Sequence, residues 1–170
     1  MLFRSTDNEI THSKNVHRIP EHKIAIACGY NKSINQNLTE IVASIINQKE
    51  LLSKIILCFQ FPGNENAYTR SVIHLLQENN IDYRIFNQRF SDHELAIYRK
   101  AMNFMIQVQS SDSFSGAMQE HLYAGSLVIT GKWLPYAVLD EKGVDYIRVN
   151  SIQKVGSAIL QSLNRKPDVS

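Results

Sequence analysis

The chain has 170 residues, 44% of them hydrophobic and 20% charged, the balance of an ordinary globular domain and not of a disordered segment. Its 18 basic and 16 acidic side chains leave a formal charge of +2, and no basic run stands out, so nucleic acid is not an expected partner. No apolar run approaches the ~20 residues of a membrane span. The first residues lack the apolar core of a secretory signal, so the chain reads as cytoplasmic, with room for one domain.

Residues 1–22 are polar and lack a period. His12, His17 and His22 recur every five residues, which matches neither helix nor strand. This segment is expected to be a linker or tail, and residues 23–170 the folded domain. Lys23–Cys28 reads as a strand that turns at Gly29. Leu38, Ile41, Val42, Ile45 and Ile46 then fall at helical spacing. Lys54–Phe59 is a second strand, followed by Pro-Gly turn chemistry and a helix carrying Val72, Leu75 and Leu76 on one face. Asp82–Phe86 is a third strand. Ser91 caps a further helix with acids in its first turn. Asn103–Val108, Ser126–Thr130 and Asp145–Val149 complete six strands, and a last helix is expected from Ser151 to about Leu163. Strands alternating with helices imply one doubly wound, mainly parallel α/β sheet with helices on both faces. Cys28 and Cys58 lack metal-ligand spacing, so no metal is expected and both thiols are expected to be free and buried.

In such a fold ligands bind at the carboxyl ends of the strands, near the point where strand order reverses. Four loops there carry candidate chemistry. Gly29, Tyr30, Asn31 and Lys32 form a polar turn before a helix, a place for a phosphate, although neither Gly-x-Gly-x-x-Gly nor the P-loop pattern is present. Phe59, Phe61 and Tyr68 surround a Pro-Gly turn; they stack on a ligand or cap the core edge. Phe86, Asn87, Arg89 and Phe90 offer contacts to a base and its charged neighbours. The fourth loop, Ser110–Gly116, leads into a helix. With a helix start near Ser113–Ser115, Asp112 precedes it and Glu120 lies ~7–8 Å further along the axis. Either both acids face one ligand over the free amides of Ser113–Gly116, or Asp112 or Ser113 simply caps the helix and Glu120 is solvated. Gly131–Tyr136 brings Lys132 or Trp133 near the same end, or packs as a Trp-Pro turn.

The run "SDSFSGAMQEHLYAGSLVI" resembles the signature of retaining nucleotide-sugar glycosyltransferases of the GT-B fold, in the family 4 style. Asp112 and Glu120 meet its acid-x7-Glu spacing, Phe114 its phenylalanine, Gly125 its glycine before the strand, and Val128–Ile129 the strand. The preceding "HELAIYRKAMNFMIQVQ" is similar to the segment that feeds into that signature. The chain departs from it at several positions. The first acid is Asp, both glycines flanking the phenylalanine are Ser113 and Ser115, Tyr30 replaces an arginine, and about Asn35 replaces a lysine, with Lys32 as a possible substitute.

The resemblance implies a C-terminal, donor-binding half of such an enzyme. Glu120 would hold the ribose, and Asp112 would lie at the donor sugar and the reacting centre. Ser113, Phe114, Ser115 and Gly116 would face the sugar and diphosphate. Gly29–Lys32 would lie against the phosphates, and Phe86 and Arg89 near the base. The donor would be a nucleotide-diphosphate sugar, UDP- or dTDP-linked by preference, with no metal and no further cofactor. The acceptor would be a polysaccharide, a lipid-linked or another glycoconjugate. It would be held by an N-terminal domain in cis or in trans, and membrane association would arise only through that domain or a lipid-linked acceptor. The competing expectation is a degenerate, non-catalytic interaction module that buries a partner on an apolar face near Trp133, Leu134 and Tyr136.

Overall fold

A computed structural model gives the structure of residues 6–165. Its centre is a six-stranded parallel sheet of β1 (Ile24–Cys28), β2 (Ile55–Gln60), β3 (Tyr83–Phe86), β4 (Phe104–Gln107), β5 (Leu127–Gly131) and β6 (Ile147–Val149), in the order β3-β2-β1-β4-β5-β6. All neighbouring pairs are parallel, and strand order reverses between β1 and β4, which pair at Ile26↔Phe104 and Cys28↔Ile106. The six strands are those that the sequence pattern predicts, within a residue or two at each end.

Side chains alternate between the two faces of each strand. Ile26, Cys28, Leu57, Phe59, Phe104, Ile106, Leu127 and Ile129 point to one core, shared with α2 (Leu38–Ile46), α4 (Ala67–Glu78) and α8 (Val155–Gln161). Ala25, Ala27, Ile56, Cys58, Met105 and Val128 point to the other. They pack there under α5 (Asp92–Ala101), α6 (Gly116–Ala124) and the short α7 (Ala137–Glu141). The second face uses smaller strand residues, and the room is filled by Tyr98, Met102 and Met118 from above. Phe59 and Phe61 are buried in the first core, so they cap no ligand site. Tyr68 packs against them and its hydroxyl accepts from the Leu38 amide at 2.7 Å, serving the first turn of α2. Both cysteines are free and buried, and burial pushes the Cys58 thiol up to about 12.

The first segment departs from its expected form. Asp7–Val16 is a helix, α1, begun by a reciprocal capping box between Thr6 and Glu9. It packs along α5, with Lys100 paired to Glu9 at 3.0 Å. Its docked side is not an apolar stripe. Ser13 and Lys14 are buried, and Lys14 Nζ donates to the Lys23 carbonyl at 2.8 Å. Just past the helix, His17 sits among Phe86, Phe90 and Tyr98, with ring centroids 5.3–5.8 Å apart. A helix held by a lysine stem and an imidazole leaves no 3.6-residue apolar period to read, which is why this segment looks like a tail. The short α3 (Lys49–Leu52) and α7 also went unanticipated, and the last helix begins as a 3₁₀ turn at Ile152–Lys154.

The approach of α8 to α2 depends on Gly156. A Cβ there would fall inside van der Waals contact of the Ser44 carbonyl, and the Gly156 amide donates to Ser44 Oγ at 2.9 Å. Gly156→Ala is expected to destabilise the fold by ~1–3 kcal/mol through overpacking, measured as a lower urea midpoint at unchanged slope. An unchanged midpoint would show that α8 can shift away at no cost.

Candidate functional site

The reversal of strand order sends the chain away from neighbouring strand ends toward opposite faces: β1 leads to α2 and β4 leads to α6. The loops that follow them, residues 29–37 and 108–115, flank the crevice between, and a polar network ties one to the other. Asn37 Nδ2 donates to the Val108 carbonyl at 2.8 Å. Asn35 Nδ2 donates to Gln109 Oε1 at 3.1 Å and to the Ser111 carbonyl at 3.2 Å. Gln109 Nε2 donates to Tyr30 Oη at 2.7 Å, and the Ser110 amide to the Asn35 carbonyl at 3.2 Å. Trp133, from the loop after β5, donates its indole N–H to the Gln109 carbonyl at 2.8 Å.

Gly29 sits at φ +66°, and a Cβ there would come within 2.6 Å of Gln36 Oε1. That same oxygen accepts from the Tyr30 amide at 3.3 Å, so this amide is engaged within the chain. Asn31 Oδ1 accepts from the Ser33 amide at 2.8 Å. Lys32 Nζ donates to the Asn64 carbonyl at 2.8 Å, which ties the β1 loop to the β2 loop. An ammonium has three N–H groups, so the contact leaves donors for an anion.

The helix α6 begins at the late end of the expected range, at Gly116. Ser115, and neither Asp112 nor Ser113, is its N-cap, and Ser115 Oγ accepts from the Met118 amide at 3.2 Å. The Gln119 amide bonds the Ser115 carbonyl, which leaves the amides of Gly116 and Ala117 facing outward at the positive end of the helix. A Cβ on Gly116 would meet nothing within 4 Å, so the space over this first turn is open. Ser113 is exposed, and Phe114, also exposed, sets its ring edge against Tyr136 at 5.7 Å between centroids.

The two acids do not bond each other; each is held through one oxygen. Asp112 Oδ2 accepts from the Tyr136 hydroxyl and, at 3.4 Å, from Gln107 Nε2. Gln107 Nε2 also donates to Tyr136 Oη at 3.2 Å. Burial, and then the Asp112 carboxylate, push the Tyr136 phenol well above its ordinary pKa, so it stays a donor. Glu120 Oε2 is paired with Arg99 of α5. Asp112 Oδ1 and Glu120 Oε1 have no hydrogen-bond partner among the described residues. Leu134 and Tyr136 are buried, which removes the apolar face expected around Trp133 for an interaction module; Trp133 itself is 41% exposed.

Phe86 and Phe90 join the aromatic cluster of His17 and Tyr98 and border a cleft of about 410 Å³ that Asn87 and Glu94 also line. Arg89 is exposed in the adjoining loop. A second cleft, of about 440 Å³, lies at the opposite end of the sheet, beside Ile24, Asn103, Phe104 and Gly125. It borders the amino ends of β1, β4 and β5, away from the crevice that this topology offers to ligands. As partners of the two acids, Tyr136, Gln107 and Arg99 have only a weak sequence signal: Gln107 ends β4, Tyr136 stands in the loop after β5 and Arg99 on the helix before β4.

No family model and no curated protein matches this sequence. Solved structures do. The Anabaena protein HepE in complex with UDP-glucose superposes with a TM-score of 0.77 at 11% identity, over 95% of this chain and 44% of that one. A UDP-forming α,α-trehalose-phosphate synthase from Burkholderia xenovorans, in complex with glucose-6-phosphate, superposes at 0.72 and 12% identity, over 92% and 39%. The OtsA apo structure gives 0.64 and 14%, over 94% and 42%. These are glycosyltransferases of the GT-B fold, and the chain spans less than half of each. The chain therefore has the Rossmann-like fold of one GT-B half.

Inside α6, His121 Nδ1 lies 3.1 Å from Ser126 Oγ, whose proton goes to the Met102 carbonyl. The imidazole is thus the donor to Ser126. Burial, followed by Arg99, lowers its pKa from 6.5 to about 3. The unfolded chain takes up a proton near 6.5 that the folded chain refuses until about 3, so this contribution to stability is complete above 6.5 and is lost as pH falls through that window. His121→Asn is expected to reduce the difference in unfolding free energy between pH 7 and pH 4.5 by about 2 kcal/mol. The remaining slope includes His17, whose pKa burial also lowers. A pH profile identical to that of the unmodified chain would contradict the buried, neutral assignment.

Proposed function

We propose that this chain is the donor-binding domain of a glycosyltransferase and takes a nucleotide-diphosphate sugar into the crevice between the β1 and β4 loops. The observation that carries the reading is the start of α6. The first turn of α6 leaves two amides without an intrahelical partner, and Asp112 before it and Glu120 within it each have one oxygen held and one without a partner among the described residues, beside the strand-order reversal. Solved structures of similar fold include complexes with UDP-glucose and with UDP and glucose.

In this reading the diphosphate lies over Gly116 and Ala117, where the helix end and Lys32 stabilise its negative charge. The same charge is that of the leaving nucleotide, so groups fixed before the reaction lower its cost. Glu120, oriented by Arg99, accepts from the ribose hydroxyls. Asp112 lies at the donor sugar and accepts from a sugar hydroxyl through Oδ1. Ser113 and Ser115 stand where the signature has glycines. Ser115 has become the helix cap, and the backbone approach that a glycine allows falls to Gly116. The base lies towards Phe86, Asn87 and Arg89. Transfer to an acceptor needs a second domain to supply that substrate, so the chain alone binds the donor and transfers poorly.

Calorimetry with UDP-, dTDP- and GDP-sugars tests the proposal. At least one UDP- or dTDP-sugar should bind, and Glu120→Ala should weaken it about tenfold, the loss of a charge-assisted hydrogen-bond pair. Absence of binding across the panel, or full affinity in Glu120→Ala, would remove the basis for the assignment.

A further inference from the structure

We infer that Tyr136 and Gln107 are positioning residues that set which oxygen of Asp112 reaches the ligand, and so confer the preference for a sugar-bearing over a bare nucleotide. This rests on the donor-binding reading above. The hydrogen bonds have a fixed direction. Gln107 Nε2 donates to Tyr136 Oη, and Tyr136 Oη donates to Asp112 Oδ2. A side-chain amide nitrogen can only donate, so the phenol proton is directed at the carboxylate. The carboxylate is therefore an acceptor at Oδ2, and rotation of its plane would break two bonds at once. Oδ1 remains, on a half-buried residue at the mouth of the crevice.

Maintaining this arrangement has a cost in the fold. Gln107 is fully buried, and its Oε1 has no partner among the described residues. A buried acceptor left unpaired is unfavourable. Turning the amide over would place Oε1 towards Tyr136 and Asp112, and the carboxylate would then face a carbonyl oxygen and not a donor. The observed orientation is the one that serves Asp112. The phenol is further fixed by Phe114 against its ring and by burial of Tyr136 in the second core. Chains of hydrogen bonds polarise one another, so loss of the phenol affects the carboxylate beyond one contact. The bonds to Asp112 do not include Glu120, held by Arg99, or Lys32, held by the Asn64 carbonyl, so the contacts these two make with a bare nucleotide do not run through the Asp112 carboxylate.

The test compares UDP-glucose with UDP on the full chain by calorimetry, supported by saturation-transfer NMR for weak binding. The unmodified chain should bind UDP-glucose more tightly than UDP. Tyr136→Phe should keep the UDP affinity and lower that ratio about tenfold, with weaker saturation of the glucose protons than of the uracil protons. In an Asp112→Asn background, Tyr136→Phe should change nothing further, because it acts through that carboxylate. Gln107→Leu, a second variant with Tyr136 intact, should lower the ratio in the same direction, and melting curves establish that each variant is folded. A ratio unchanged in both folded variants, a full additive effect on Asp112→Asn, or equal affinity of the unmodified chain for UDP and UDP-glucose would overturn the inference alone. Failure of the unmodified chain to bind either nucleotide would overturn the donor-binding reading, and this inference with it.

Discussion

The pairing of β1 with β4 is the constraint on which the rest depends. Both strands are buried on both faces, so their chain ends can leave only upward, into loops. Those loops go to opposite faces and leave a crevice that no side chain of the sheet can fill. Such an opening exposes backbone polar groups at the edge of the core, and these need partners. Asn35 and Asn37 supply them across the gap, donating to the Ser111 and Val108 carbonyls, and Trp133 from a third loop donates to the Gln109 carbonyl. The crevice is thus shaped by polar contacts, while its walls are held by two apolar cores.

The same constraint gives each acid its form. Asp112 stands just past the end of β4 and is within reach of the loop after β5, which is why Tyr136 can hold it. Glu120 lies inside α6, which packs on α5, and Arg99 on that helix takes one of its oxygens. With the Glu120 side of this ion pair half exposed, its contribution to stability is modest. Its effect is geometric: a carboxylate with one oxygen bound presents the other in a defined direction. The serines of the run "SDSFSG" follow the same logic. Ser115 gives up the freedom of a glycine and secures the start of α6 as its cap, while Ser113 remains free at the rim.

Much of the fold was legible because a parallel sheet buried on both faces writes itself as short, continuous apolar runs between helical patterns. Ala25 and Ala27 against Ile26 and Cys28 already carry the two-faced alternation. The helix α1 was not legible, since it docks through Lys14 and His17 and carries no apolar stripe. At the site, the acids and the glycine at residue 29 could be found from spacing and turn chemistry. Their partners could not: Tyr136 is 24 residues from Asp112 in the chain, and Gln107 is 29 from Tyr136. Contacts of that separation are set by sheet order, which no local pattern encodes. Lys32 illustrates the same limit, because its tie to the Asn64 carbonyl depends on β1 and β2 being neighbours.

The measurement that bears most directly on this account is a residue-resolved map of where a nucleotide sugar binds, from the amide spectrum of the ¹⁵N-labelled chain titrated with UDP-glucose. The account predicts that shifts concentrate in Tyr30–Asn37, in Gln109–Ala117 and around Glu120, with Gly116 and Ala117 among the largest. Shifts gathered instead around Lys14, Asn103 and Gly125, at the cleft beneath the amino ends of the strands, would contradict it.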